Sequence, residues 1–314
     1  MRRPPLALAG LILLGGCAAS APSPQPPAPV DQELMSAWQL ARYAFEEGQY
    51  DQAAQMFARV LERAYARDDL GAIGDVGYEL AVVRLRQLDP AAAAAQARQT
   101  RDELRRRGNE PFAELYLVEA VALYELGDEV FAEARADRAI ALAAAPGEPV
   151  AMRAWFLKGR IAAGSADAAG VSQALAALGR SPNPELQADR LELTGRLELL
   201  EGRPEHALPA FRNSANLRRE AEDYLGMARV LARAGEAAER AGLSADAADL
   251  YFRAGRSAEV ERDVVNARRW LSAAARLAET TGQAAILAEA NDRLAGLAEA
   301  EGASASGPRR DQDR

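Results

Sequence analysis

Three residue types that often carry chemistry are almost missing from this chain. Its 314 residues include one cysteine, Cys17, one histidine, His206, and one lysine, Lys158. A single cysteine excludes an intramolecular disulfide, and one histidine without a second histidine or cysteine nearby cannot form a zinc-type site. We therefore expect no metal and no cofactor, and we interpret His206 as an ordinary surface residue.

Sequence motifs of common enzymes are also absent. The chain contains neither a Gly-x-Ser-x-Gly elbow nor a Gly-x-x-x-x-Gly-Lys-Ser/Thr phosphate loop. Glu192, Glu198 and Glu201 could in principle share a surface for acid–base work. Because the chain has 46 acidic residues, solvated helix faces explain these glutamates better. The sequence predicts a protein that is not an enzyme.

The composition favours closely packed helices. Aromatic residues make up 6% and apolar residues 49% of the chain, and alanine is especially frequent. Such a mixture suits an all-α fold better than a β-sandwich. The formal net charge of −8 argues against general binding to nucleic acid.

The N-terminus has the pattern of a secretory signal peptide. Arg2 and Arg3 precede an apolar run, residues 6–16, that is too short to span a bilayer. Leu14-Gly15-Gly16-Cys17 closely resembles the lipobox of bacterial lipoproteins. That resemblance implies cleavage of residues 1–16 and a covalent lipid on Cys17. An ordinary signal peptide that happens to contain a cysteine is the alternative.

The segment after Cys17 predicts a spacer. Residues 17–30 are rich in proline, which favours an extended, semi-rigid linker. Residue 18 is Ala and not Asp, which by resemblance to enterobacterial sorting implies the outer membrane. We therefore expect a lipid-anchored protein on the periplasmic face of that membrane.

A repeat runs through residues 31–302. Amphipathic stretches of about 15 residues alternate with short breaks, and one series of breaks recurs every 37 to 40 residues. Breaks of this series include Gly48, Gly127, Gly164-Ser165 and Gly202. This interval indicates a solenoid of helix pairs, with about 14 helices. Residues 303–314 are predicted to form a disordered tail.

Small and large residues occupy fixed offsets from the breaks. Before Gly202 lies Gly195, and after it come Ala207 and Phe211; Gly235 and Tyr251 have the same spacing around the next break. This pattern resembles the tetratricopeptide repeat (TPR), in which small residues let two antiparallel helices approach. The resemblance implies a right-handed superhelical solenoid of antiparallel pairs. Because the interval exceeds the usual 34 residues, a HEAT-like solenoid is the alternative.

The TPR resemblance also implies a concave groove that binds a partner, lined by the first helix of each pair. We expect charge farther along this groove, at Glu192, Arg196, Glu236 and Glu239. The alternative is that the aromatic residues pack between neighbouring repeats. The predicted groove residues are Trp38, Arg42, Phe45, Tyr78, Val82, Leu85, Leu117, Val121, Tyr124 and Arg196.

These resemblances together predict an outer-membrane-anchored periplasmic TPR lipoprotein. It would act as a protein–protein interaction scaffold for an envelope assembly, such as pilus, outer-membrane or cell-wall machinery. Its partners would be periplasmic or envelope proteins, and the membrane through the lipid. The alternatives are a cell-wall enzyme of the lytic transglycosylase type and a passive spacer. The former would need a compact catalytic domain, for which the repeats leave no room.

Overall fold

The computed structural model describes residues 31–305, with side chains to residue 300. The predicted signal peptide, the lipidation site Cys17, the linker and residues 306–314 of the predicted tail lie outside this range. All regular structure within the described range is helical. The fourteen helices are α1 (Gln32–Glu46), α2 (Tyr50–Ala66), α3 (Leu70–Arg86), α4 (Pro90–Arg106), α5 (Ala113–Glu125), α6 (Glu129–Leu142), α7 (Pro149–Gly164), α8 (Ala168–Leu178), α9 (Pro184–Leu200), α10 (Pro204–Glu220), α11 (Tyr224–Arg240), α12 (Ser244–Val260), α13 (Val264–Thr281) and α14 (Ala284–Ala305).

The helix starts follow from local chemistry. Seven helices have an aspartate as the N-cap residue. In each, the aspartate carboxylate accepts a hydrogen bond from the backbone N–H three residues later in the chain, as Asp31 does from Leu34. This side-chain bond satisfies one of the N–H groups that a helix start leaves without a partner. Proline opens α4, α7, α9 and α10, where its missing N–H costs nothing.

In the turn that follows most of the helices, one residue has a backbone conformation with positive φ, which we call left-handed. Glycine has a positive φ at the turns after α1, α4, α5, α8, α9, α11 and α13. At other turns a residue with a side chain takes this conformation, including Leu88 and Ala166. The predicted break at Gly164-Ser165 coincides with the end of α7: Gly164 is the last helical residue, Ser165 follows as the C-cap, and Ala166 is the left-handed residue of the turn.

The helices pack in sequence as antiparallel pairs, and close contacts hold each pair together. A Cβ added to Gly195 would lie 2.8 Å from the ring of Phe211, so only glycine permits this approach of α9 to α10. Gly235 and Tyr251 repeat the arrangement between α11 and α12, at 3.0 Å. Real Cβ contacts essentially never fall below 3.0 Å. The predicted pairing of small with aromatic residues is confirmed at both pairs.

Buried apolar residues form successive clusters along the solenoid. The cluster from α10 to α14 is rich in alanine, and another joins α1, α2 and α3. First helices also contact one another directly, α3 with α5, α5 with α7, and α7 with α9. These four first helices therefore form a continuous inner layer. None of the described helices combines the length and the apolar character that crossing a membrane requires.

Candidate functional site

The inner layer of helices encloses a groove with a volume of about 1100 Å³. Most of its lining comes from the first helix of each pair, α3, α5, α7, α9, α11 and α13. The lining residues recur 13, 10, 6 and 3 positions before the left-handed turn residue. In α5, where that residue is Gly127, they are Glu114, Leu117, Val121 and Tyr124.

Six of the predicted residues meet on one side of the groove, which we call the apolar wall. They come from α3 and α5, and all six are half-buried. The ring of Tyr78 meets the ring of Phe112 edge-on, with centroids 5.8 Å apart, and burial raises the pKa of the Tyr78 hydroxyl. The apolar wall consists of Tyr78, Val82, Leu85, Leu117, Val121 and Tyr124.

The three predicted residues of α1 lie outside the groove lining. The indole Nε1 of Trp38 donates a hydrogen bond to the carboxylate of Glu79 in α3, and Trp38 is buried. Arg42 stacks on the Trp38 ring at 4.7 Å and donates to Glu79 at 2.7 Å. Phe45 packs against Tyr50, with ring centroids 5.6 Å apart. Contacts between neighbouring helices account for these three side chains.

A network of buried charges, which we call the charged floor, also lines the groove. It consists of Asp189, Glu192 and Arg196 in α9 and Arg218 in α10. Arg196 donates to Glu192 at 2.7 Å, and Arg218 donates to Asp189 at 2.7 Å and to Glu192 at 3.0 Å. Each buried carboxylate of the floor therefore has a guanidinium partner within the chain.

Burial and pairing move the pKa values of the two floor carboxylates in opposite directions. Burial raises the pKa of Asp189 to about 6, against the attraction of Arg218. Burial also acts to raise the pKa of Glu192, but the attraction of Arg196 and Arg218 outweighs it and lowers that pKa to about 2. Glu192 is thus held as an anion between two cations.

A second set of charges crosses the groove, and we call it the clasp. Arg229 in α11 donates to both carboxylate oxygens of Glu125 in α5, at 3.0 and 3.3 Å, although the two residues are 104 positions apart. The guanidinium of Arg160 in α7 lies 3.7 Å from Glu125 and stacks on the Tyr124 ring at 4.5 Å. The clasp, Glu125, Arg160 and Arg229, joins helices from opposite sides of the groove.

Sequence reasoning found part of this site. The predicted charges at Glu192, Arg196, Glu236 and Glu239 all line the groove. It missed Arg160, although that residue stands six positions before the left-handed Ala166, as Val121 stands before Gly127. The spacing signal was present, but the turn after α7 has an alanine in place of glycine as its left-handed residue. Within residues 31–305, no group of His, Cys, Asp and Glu side chains could hold a metal ion.

Solved structures of other helical-repeat proteins resemble this fold. A Rap protein complexed with competence and sporulation factor matches with a TM-score of 0.50 and 12% identity, over 85% of this chain and 98% of that one. The apo form of RapI matches with the same TM-score and identity, over 85% and 77%. A tetratricopeptide repeat protein from Parabacteroides merdae ATCC 43184 has a TM-score of 0.49 and 13% identity, over 82% and 99%.

These likenesses concern the fold, and they confirm the predicted all-α solenoid of TPR-like helix pairs. No protein-family model matches the chain, and no curated protein matches it.

Proposed function

We propose that the chain is a scaffold that binds a segment of a partner protein in its groove. The apolar wall is the observation that carries this proposal. Its six side chains remain half-exposed along an open groove and come from two first helices that contact each other, so they form one continuous apolar surface. Clustered aromatic and aliphatic side chains in a groove are typical anchors for a partner's helix or extended segment.

Other features agree with this proposal. The groove volume of about 1100 Å³ exceeds that of most small-molecule pockets and suits several side chains of a peptide. The similar Rap structure was solved in complex with competence and sporulation factor, so one solenoid of this fold holds a binding partner. The partner we propose for the present chain is a protein of an envelope assembly.

The location of the scaffold is also part of the proposal, and Cys17 supports it. A lipid on this residue would anchor the chain to the periplasmic face of the outer membrane, since two or three acyl chains anchor durably. Cys17→Ala should leave unprocessed precursor and remove the mass of the lipid. Normal processing and membrane retention of that variant, by mass spectrometry and fractionation, would refute the anchor.

Photo-crosslinking in the intact envelope tests the scaffold role. A photo-reactive residue at Val121, in the apolar wall, should yield a discrete adduct with a partner protein. The matched control is Val130, which is 80% exposed on α6 and does not line the groove. Leu117→Ser should remove the adduct and Val130→Ser should not, with melting curves confirming that both variants fold. Adducts of equal yield at both positions, or none at either, would contradict the proposal.

A further inference from the structure

The clasp contains a guanidinium whose binding capacity is mostly unused. The side chain of Arg160 is 18% exposed, and its buried Nε has no hydrogen-bond partner. The closest carboxylate, Glu125, lies 3.7 Å away, beyond the 2.7–3.2 Å range of a hydrogen bond. A guanidinium has five N–H donors, and burying them without acceptors costs free energy. Arg160 is therefore ready to receive an anion.

The charges around the clasp also favour binding of an anion by Arg160. Arg160 and Arg229 both face the single carboxylate of Glu125, and the hydrogen bonds of that carboxylate go to Arg229. Glu192 of the charged floor also attracts Arg160, but its carboxylate accepts hydrogen bonds from Arg196 and Arg218, so Arg160 has a negative charge nearby without a hydrogen-bond acceptor. The floor offers no compensating acceptor, because Asp189 and Glu192 already accept from guanidinium groups of their own.

A basic ligand has no buried carboxylate in the groove that is free to bind it. The buried carboxylates of the groove are paired within the chain, as described above. Glu114 and Glu129, which also line the groove, are exposed at its rim, where water solvates them. An incoming cation would have to break an ion pair of the buried floor, whereas an incoming carboxylate can bind the unused donors of Arg160 and exchange with Glu125 on Arg229, a pair that is more exposed. Electrostatic complementarity of this kind selects among partners.

The position of the clasp defines the rest of the ligand. Arg160 rests on the ring of Tyr124, which is the end of the apolar wall. We propose that the partner segment is acidic and apolar: its apolar side chains pack on the wall, and its carboxylate binds Arg160 and Arg229 in place of Glu125. The inference rests on the proposed function, and it adds that the clasp opens when the ligand binds.

Peptide selection on the purified full-length chain tests this inference. A displayed library of random 12-residue peptides should yield binders that carry Asp or Glu within about one helical turn of an aromatic or aliphatic residue. One such binder and its Glu→Gln counterpart are then made with a fluorescent label. Anisotropy should show that the acidic peptide binds at least about tenfold more tightly, the equivalent of about 1.4 kcal/mol.

Variants of the clasp sharpen the test. Arg160→Gln and Arg229→Gln should each weaken the acidic peptide about tenfold and leave its Gln counterpart unchanged. Glu125→Gln removes the competing carboxylate, so it should strengthen the acidic peptide several-fold and not the Gln counterpart. Arg229 is the safer variant if Arg160→Gln lowers the melting temperature, because its side chain is 30% exposed.

Each remaining outcome has a definite meaning. Peptides that need Leu117 but bind equally well as acid and amide would overturn this inference and leave the proposed function standing. Failure to select any peptide whose binding needs Leu117 would overturn both. Preferential binding of a peptide copied from residues 18–30, which contain no acidic residue, would show that the chain's own segment fills the groove and would also overturn it.

Discussion

The apolar wall on α3 and α5 and the α9 residues of the charged floor occupy equivalent positions of first helices, yet they serve different purposes. Wall residues such as Val121 face the open groove without a partner, whereas the floor residues Glu192 and Arg196 bind each other. Ion pairs that are satisfied within the chain hold α9 and α10 together and leave little for a ligand. We infer that the floor determines the shape of the groove and the wall determines what binds there.

The strongest test of this contrast is removal of the central charge of the floor. Glu192→Gln deprives both Arg196 and Arg218 of a buried counter-ion, which should cost about 3–5 kcal/mol of unfolding free energy. Chemical denaturation measures the loss. Glu185→Gln is the control, because its pair with Arg153 is half-exposed and should be worth at most about 1 kcal/mol. Equal losses in the two variants would mean that the buried ion pairs of the floor contribute no more to stability than the half-exposed pair of Glu185 and Arg153.

The pH dependence of stability provides the next test. Because burial raises the pKa of Asp189 from 3.8 to about 6, the unfolded chain loses this proton at a lower pH than the folded chain does. Stability associated with Asp189 should therefore be full below about pH 4 and decline as the pH rises to about 6, by about 1–3 kcal/mol.

Asp189→Asn should remove that decline. Its control is Asp246→Asn, an exposed partner of Arg212, which should keep the wild-type profile. Glu192 acts in the opposite sense: its pKa of about 2 gives stability that is present above about pH 4.5 and lost on acidification. Denaturation curves from pH 3 to 7 separate the two. A profile for Asp189→Asn that matches the wild type would contradict the burial argument.

Changes in the wall should cost less stability. Tyr124→Leu keeps an apolar side chain but removes the ring on which Arg160 stacks, so we expect a loss of about 1 kcal/mol. Tyr43→Leu, on the exposed face of α1, should have almost no effect. A loss at Tyr124 as large as that of the Glu192 variant would show that the wall also supports the fold.

The fold was predictable from the sequence because the signals that start and end each helix are local. Aspartate caps, first-turn prolines and turn glycines each act within a few residues, so the helix order followed from them. The apolar wall was also predictable, since α3 and α5 keep regular spacing to their turns. The clasp was not: Glu125 and Arg229 meet only because the superhelix brings distant repeats together. No local pattern encodes that meeting.

The turn after α7 is left-handed at an alanine, which suggests a mutation. Ala166 adopts a φ of 58°, a conformation that glycine takes without strain and that costs an L-residue about 1–2 kcal/mol. Ala166→Gly should relieve that strain and, after the entropic cost of glycine, stabilise the chain by about 0.5–1 kcal/mol.

The matched control is Gly202→Ala, whose φ of 74° should make it destabilising by a similar amount. Opposite shifts in melting temperature would confirm that Ala166 is the left-handed residue of this turn, and with it the six-residue spacing to Arg160. A stabilising Gly202→Ala, or a destabilising Ala166→Gly, would mean that the left-handed turns are assigned to the wrong residues.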